Sequence, residues 1–80
     1  MRARFFGRLT EHFGEEVEID VTEALRISEL RCALSTRFPN AGDRLQSSSV
    51  RACVGDAIVP EDFIVEPGGT VEFWPPVSGG

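Results

Sequence analysis

The chain has 80 residues, of which 41% are hydrophobic and 26% charged, as in an ordinary small globular domain. Its net charge of −5 argues against nucleic-acid binding, because neutralising phosphates requires a basic face. No apolar stretch approaches the ~18 residues of a membrane span. We therefore expect one cytoplasmic domain over residues 1–80, with no nucleic-acid or membrane partner, and we expect an acidic chain of this kind to suit basic clefts on its partners.

The first part of the chain predicts a strand, a second strand and a helix. Arg2–Phe6 is the first strand, and Gly7 interrupts it. Val17, Ile19 and Val21 alternate with acidic residues, which is typical of a strand with one buried and one exposed face. The two strands predict a hairpin. From Ile27 to Phe38 the apolar residues recur at helical spacing, which predicts a helix that packs on the sheet.

The ends and flanks of this helix can also be read from the sequence. Thr22 and Ser28 are both possible N-terminal caps, and Pro39 stops the helix. Arg31 lies beside the apolar stripe, so we expect its charged head to extend to the edge of the core. Cys32 projects to the wetter side.

The second part of the chain predicts short strands separated by turns. Asp43–Ser49 is a polar loop, and Val50–Val54 and Ala57–Val59 are strands separated by a turn. Val65–Gly69 contains Pro-Gly-Gly and predicts another turn, after which Thr70–Trp74 is the final strand.

This order of elements predicts an α+β fold of the β-grasp, ubiquitin-like type, with a mixed sheet of about four to five strands crossed by one helix. The first and last strands then lie side by side, with four residues beneath the helix: Ala3, Phe5, Val71 and Phe73. The same alternation places Phe6 and Trp74 together on the opposite face. Two large aromatic residues there form an apolar patch of the kind that marks a protein interface, so we expect both to contact a partner.

Residues 75–80 predict an extended C-terminal tail that is clear of the sheet. Pro75 and Pro76 end the last strand because proline lacks the backbone donor and fixes φ. Gly79 and Gly80 lack side chains and can therefore enter a narrow channel, at the end of which an unhindered carboxylate is presented. A frayed terminus or an added stretch of glycines are the alternative interpretations.

The remaining reactive side chains indicate no active site. Cys32 and Cys53 are expected to be free thiols rather than a disulfide, and their spacing fits no metal motif. His12 stands alone in a polar context and is expected at the surface. We find no nucleophile, base and orienting group that form a set, and no metal site is expected.

The Phe5–Phe6 pair and the ending Val71–Gly80 resemble the MoaD family, the small sulfur-carrying subunits of molybdopterin synthase. Members typically end in two aromatic residues, Pro-Pro, Val, Ser or Thr, and Gly-Gly. The similarity covers the whole chain in length and element order. Trp74 replaces the more usual phenylalanine, and Arg31 occupies a position that is often aliphatic in the family.

The resemblance implies a non-catalytic protein co-substrate. An adenylyltransferase similar to ubiquitin-activating enzymes would use ATP and magnesium to adenylate the Gly80 carboxylate, and a persulfide donor would convert it to a thiocarboxylate. The tail, Pro75, Pro76, Val77, Ser78, Gly79 and Gly80, would then enter the large synthase subunit in a heterotetramer. There its sulfur would pass to the pterin precursor of the molybdenum cofactor. The chain itself would bind no cofactor.

Three alternatives remain at this point. The thiazole sulfur carrier of thiamin synthesis shares the fold and the Gly-Gly ending, but it is usually shorter and lacks the aromatic-Pro-Pro ending. A ubiquitin-like protein modifier would use the same carboxylate to form isopeptide bonds. A β-grasp interaction domain without this chemistry is the third, since a fold alone does not specify function.

Overall fold

The computed structural model describes residues 1–47 and 49–76. The strands of this part of the chain are β1 (Arg2–Phe5), β2 (Glu16–Glu18), β3 (Leu25–Arg26), β4 (Arg51–Val54), β5 (Ala57–Ile58), β6 (Ile64–Val65) and β7 (Thr70–Trp74). The helices are a 3-10 helix (Gly7–Leu9), α1 (Thr10–Phe13), α2 (Ile27–Arg37) and α3 (Gly42–Gln46).

Five of the strands form a mixed sheet in the order β2-β1-β7-β4-β5, and β3 pairs with β6 separately. The central pair, β1 and β7, is parallel, whereas the other pairs in the sheet are antiparallel. In the central pair Ala3 lies opposite Val71 and Phe5 opposite Phe73, and none of these four side chains is more than 2% exposed. The predicted β-grasp and the predicted inner face of its two central strands are confirmed.

Helix α2 covers this inner face with the predicted apolar stripe. Ile27, Leu30 and Leu34 are fully buried, and Phe38 packs at the edge of the same core. The helix ends at Arg37, one residue before the predicted end at Phe38. Helical spacing of apolar residues therefore identified both the element and its buried side.

The start of α2 differs from the prediction of a cap at Thr22 or Ser28. Arg26 is the N-cap, and the Glu29 carboxylate accepts its backbone N–H at 2.8 Å. Residues 25–26 pair with β6 in an extended conformation, so the helix cannot begin earlier. The prediction of a Thr22 or Ser28 cap was wrong.

Two segments between the larger elements also differ from the prediction. Strand β2 ends at Glu18, yet Ile19 and Val21 still pack against the core. The segment expected to be a polar loop contains α3, whose Leu45 is fully buried. Helix α3 lies close to α2 at Gly42, where an added Cβ would stand 2.7 Å from the Cα of Ser35.

Arg31 is buried, and the prediction that its head extends to the edge of the core was wrong. Only 5% of the residue is exposed. Its guanidinium donates to the backbone carbonyls of Leu45, Ser47 and Val50, the last at 2.7 Å. It also pairs with the Glu61 carboxylate, with Nε to Oε1 at 2.9 Å and Nη2 to Oε2 at 3.0 Å. The backbone carbonyls of Leu45, Ser47 and Val50 surround the head, and these partners replace the water that an extended side chain would reach.

Candidate functional site

The last described residues, Pro75 and Pro76, leave the sheet at the end of β7. Residues 77–80, which carry the predicted Val77, Ser78, Gly79 and Gly80 of the tail, lie outside the described part of the chain. Pro75 is half-buried and Pro76 is exposed. The position of these two prolines therefore defines where the tail departs.

Gly7 is a site residue that sequence reasoning did not identify. Its φ is +57°, in the left-handed region that favours glycine, and an added Cβ would lie 2.8 Å from Cγ of Pro75. The glycine thus lets the chain after β1 approach the start of the tail. The sequence shows only that a glycine interrupts the strand, because the contact joins residues far apart in the chain.

Phe6 and Trp74 lie together on the sheet face opposite α2, as predicted. Their rings are stacked with centroids 3.9 Å apart and an interplanar angle of 4°. Trp74 is 42% exposed, and Phe6 is partly covered by it. The Arg4 guanidinium lies 5.6 Å from the centre of the Phe6 ring. A preformed aromatic pair next to the tail is suited to contact with a partner, and that role stays a prediction.

The rest of this outer face is divided into a charged and a more apolar part. The charged part is an exposed ion-pair network, with Arg2 bridging Glu16 and Glu18 at 3.3 and 3.0 Å, and Arg4 lying 3.9 Å from Glu72. Exposed ion pairs of this kind contribute little to stability, so the network mainly keeps one half of the face solvated. The aromatic pair lies on the half from which the tail departs.

Two open cavities flank Pro75 and Pro76, which line both of them. The larger, of about 640 Å³, also contacts Arg51, Cys53 and Ile58, and Ile58 is 67% exposed. The smaller, of about 410 Å³, includes the side chains Arg8, Glu11, His12 and Arg44. His12 is at the surface, as expected. Both cavities beside the prolines thus combine apolar side chains with charged ones of both signs.

Both cysteines are free thiols, as predicted. Burial, with the nearby carboxylates of Glu72 and Asp56, raises the pKa of the Cys53 thiol above its ordinary value of 9.0. A raised pKa keeps the thiol protonated near neutral pH, which makes Cys53 a poor nucleophile there. Cys32 is exposed on α2, away from this face.

No cluster of three His, Cys, Asp or Glu side chains suitable for a metal ion occurs among residues 1–47 and 49–76. In the same described ranges, no helix is both long enough and apolar enough to cross a bilayer. The described site therefore consists of the stacked Phe6–Trp74 pair and the two cavities beside Pro75 and Pro76.

A model of the ThiS family matches residues 3–80, which is nearly the entire sequence. The chain belongs to the ThiS family. Its ubiquitin-like fold is that of sulfur carriers and protein modifiers. No curated protein matches the chain significantly.

Solved structures similar to this ThiS-family chain share its fold at low sequence identity. A structure of SAMP1 from Haloferax volcanii has a TM-score of 0.79 and 18% identity, with 99% of this chain and 97% of that chain covered. A structure of small archaeal modifier protein 1 from the same organism has a TM-score of 0.77 and 16% identity, with 95% of each chain covered. A Pyrococcus furiosus protein, provisionally described as molybdopterin converting factor, subunit 1, has a TM-score of 0.78 and 23% identity, with 95% of each chain covered.

Proposed function

We propose that this chain is the sulfur-carrying small subunit of molybdopterin synthase. The observation that carries the proposal is the stacked Phe6–Trp74 pair at the end of β7, directly before Pro75 and Pro76. The arrangement belongs to a ThiS-family chain whose sequence ends in Gly79-Gly80, and a fold similar to a protein provisionally described as molybdopterin converting factor, subunit 1, supports it.

The proposed chemistry takes place on the Gly80 carboxyl group. A carboxylate oxygen attacks the α-phosphorus of ATP and pyrophosphate leaves, which gives an acyl-adenylate. The terminal sulfur of a persulfide donor then attacks the acyl carbon, and AMP leaves. A second thiol of the donor cleaves the resulting acyl disulfide, so that the thiocarboxylate stays on this chain and the donor is released as a disulfide.

The catalytic groups and cofactors belong to the partners in this proposal. The adenylyltransferase binds ATP and magnesium, and the large synthase subunit binds the pterin precursor in a heterotetramer with this chain. Phe6 and Trp74 are the proposed anchors for that large subunit, since aromatic residues that become buried at interfaces often dominate binding. The chain is then a cytoplasmic co-substrate rather than an enzyme.

The thiazole sulfur carrier of thiamin synthesis is a second candidate, favoured by the family to which the chain belongs. It requires the same adenylation and thiocarboxylate and differs only in the acceptor. The fold shared with small archaeal modifier protein 1 makes protein modification a third use of the same terminus.

The intact mass of the protein purified from its native host tests the shared chemistry. A sulfur carrier shows one oxygen replaced by sulfur at the terminus, and this exchange is absent when Gly80 is deleted. Replacing Gly79 by a bulkier residue should block sulfur transfer while the fold is retained. Conversion of the pterin precursor by the thiocarboxylated chain plus large subunit separates the first candidate from the others. Normal conversion with the Gly80 deletion would refute it.

A further inference from the structure

The arginines of this chain fall into two groups according to their partners. Of the eight arginines, all within the described residues, four have a carboxylate within 4.0 Å: Arg2, Arg4, Arg26 and Arg31. In the described part of the chain, the other four have none: Arg8, Arg37, Arg44 and Arg51. Arg37 instead donates to the Glu18 backbone carbonyl at 2.7 Å, whereas the side chains of Arg8, Arg44 and Arg51 have no hydrogen-bond or ion-pair partner among the described residues and are available to an external one.

Three of these four arginines surround the base of the tail. Arg8 and Arg44 line the smaller cavity beside Pro75 and Pro76, and Arg51 lines the larger one. All three are exposed. We call Arg8, Arg44 and Arg51 the arginine collar.

Three carboxylates line the same cavities, and among the described residues none lies within 4.0 Å of a collar arginine. Glu11 lines the smaller cavity, and Asp56 and Glu72 line the larger one. Glu72 already lies 3.9 Å from Arg4. Asp56 follows the far end of β4, at least ~10 Å along the strand from Arg51 at a rise of about 3.3 Å per residue. The three collar arginines are therefore free of ion pairs within the described part of the chain, although as many carboxylates line the same two cavities.

The backbone that carries the collar is held in place. The buried Arg31 binds the carbonyls of Leu45 and Val50, the residues directly after Arg44 and directly before Arg51. Arg51 lies opposite Trp74 in the sheet. A charge on a fixed backbone loses less conformational entropy when it binds than one on a mobile loop.

We propose that the arginine collar binds acidic side chains at the entrance of the channel in which the partner adenylates the tail. The proposal rests on the proposed function, because it presupposes a protein that receives the tail. Guanidinium groups pair with carboxylates through two parallel hydrogen bonds, which fixes orientation as well as contact. The aromatic pair supplies apolar contact, and the collar steers and orients the approach. The partner surface around the tail is thus acidic, although the net charge of this chain alone favours a basic one.

Charge reversal at Arg44 tests the collar, with Arg37 as a matched control. Arg44→Glu and Arg37→Glu change the net charge equally, but Arg37 lies at the end of α2 and lines neither cavity beside the prolines. Because Arg37→Glu also removes a hydrogen bond to the Glu18 carbonyl, thermal melts first establish that both variants are folded at the assay temperature. The measurement is pyrophosphate release by the cognate adenylyltransferase at varied carrier, ATP and salt concentrations. We expect Arg44→Glu to raise KM for the carrier at least ~10-fold, within the range of electrostatic steering, with kcat unchanged. Arg37→Glu should change KM by less than ~2-fold. The wild-type KM should rise with salt, and that of Arg44→Glu much less.

The other outcomes are distinct. Equal KM values for the carrier in both variants would overturn the collar while leaving the proposed function intact. A raised KM for ATP at constant KM for the carrier would show that the arginines contact the nucleotide. That result would overturn the proposal that they bind acidic side chains of the partner. Failure of the wild-type chain to be adenylated would overturn the proposed function and the collar with it. Should Arg44→Glu not fold, as judged by its thermal melt, Arg8→Glu takes its place with the same expected result.

Discussion

Adjacent residues on opposite faces of β7 provide the sharpest test of how the sheet is used. Phe73 is fully buried beneath α2, whereas Trp74 is 42% exposed and stacks on Phe6. Truncating a buried aromatic residue to alanine costs about 3–5 kcal/mol of unfolding free energy. Trp74→Ala should cost only about 1.5–3 kcal/mol, because roughly half the side chain's burial and a stack of ~0.5–1.5 kcal/mol are lost.

Of the two truncations, Trp74→Ala should weaken partner binding more than Phe73→Ala, which is the opposite of their order in stability. Trp74→Ala should weaken binding to the synthase large subunit by more than ~2 kcal/mol, which is a roughly 30-fold rise in Kd. Phe73→Ala should leave Kd of the folded protein unchanged. Phe6→Ala with Trp74→Ala completes a double-mutant cycle, in which we expect coupling of ~0.5–1.5 kcal/mol in stability from the stack.

Thermal melts and calorimetric titrations on the same samples measure both quantities. In a domain of this size each kcal/mol corresponds to ~4–8 °C in Tm, so the two truncations are distinguishable. The titrations belong well below the Tm of Phe73→Ala, so that its folded fraction is near one. An unchanged Kd for Trp74→Ala would refute the assignment of the outer face to the partner.

Three further predictions concern the buried Arg31, Gly7 beside Pro75, and the thiol of Cys53. Arg31→Met should lower the free energy of unfolding, measured by chemical denaturation, by about 2–4 kcal/mol, because it leaves buried carbonyls without a donor. Glu61→Gln changes an exposed carboxylate and should lower it by ~1 kcal/mol or less. Gly7→Ala should cost ~1–2 kcal/mol for its positive φ plus the contact with Pro75, and Gly55→Ala, with φ +56° and open space around it, should lose only the backbone part. The alkylation rate of Cys53 should rise with pH to a midpoint above 9.0, because its pKa is raised by burial and nearby carboxylates.

Each of these has a control and a contradicting result. Equal losses in Arg31→Met and Glu61→Gln would show that the ion pair, not the carbonyl contacts, accounts for the stability that Arg31 contributes. A loss in Gly55→Ala as large as in Gly7→Ala would remove the role assigned to the proline contact. Alkylation is measured in a Cys32→Ser background, and a midpoint below 9.0 would contradict the burial of Cys53. The raised pKa also implies that stability falls as pH rises through this range, since the folded state holds the proton more tightly.

The regular elements were predictable because their periods are local. Alternation along residues 70–74 identified β7 with its bounds, and it placed Phe73 inside and Trp74 outside. The stripe from Ile27 to Leu34 likewise identified the buried side of α2. These patterns need no knowledge of distant residues.

The elements that were missed depend on contacts between distant residues. Strands β3 and β6 have two residues each, too few to show a period, and they form only by pairing with each other. Helix α3 lies in a polar segment, and its burial comes from Leu45 packing in the core beside α2. The partners of Arg31 lie 14 to 30 residues away in the chain. An arginine beside an apolar stripe gives no local signal of such a set.

The strand that precedes the tail is held from both sides of the sheet. On the inner side, the Arg31 guanidinium lies 5.5 Å from the centre of the Phe73 ring, while the same group binds the backbone carbonyls of Leu45 and Val50. On the outer side, Phe6 stacks on Trp74. The next residue, Pro75, then contacts Gly7. These contacts hold the start of the tail at Pro75, so under the proposed function little ordering would remain there when the partner binds.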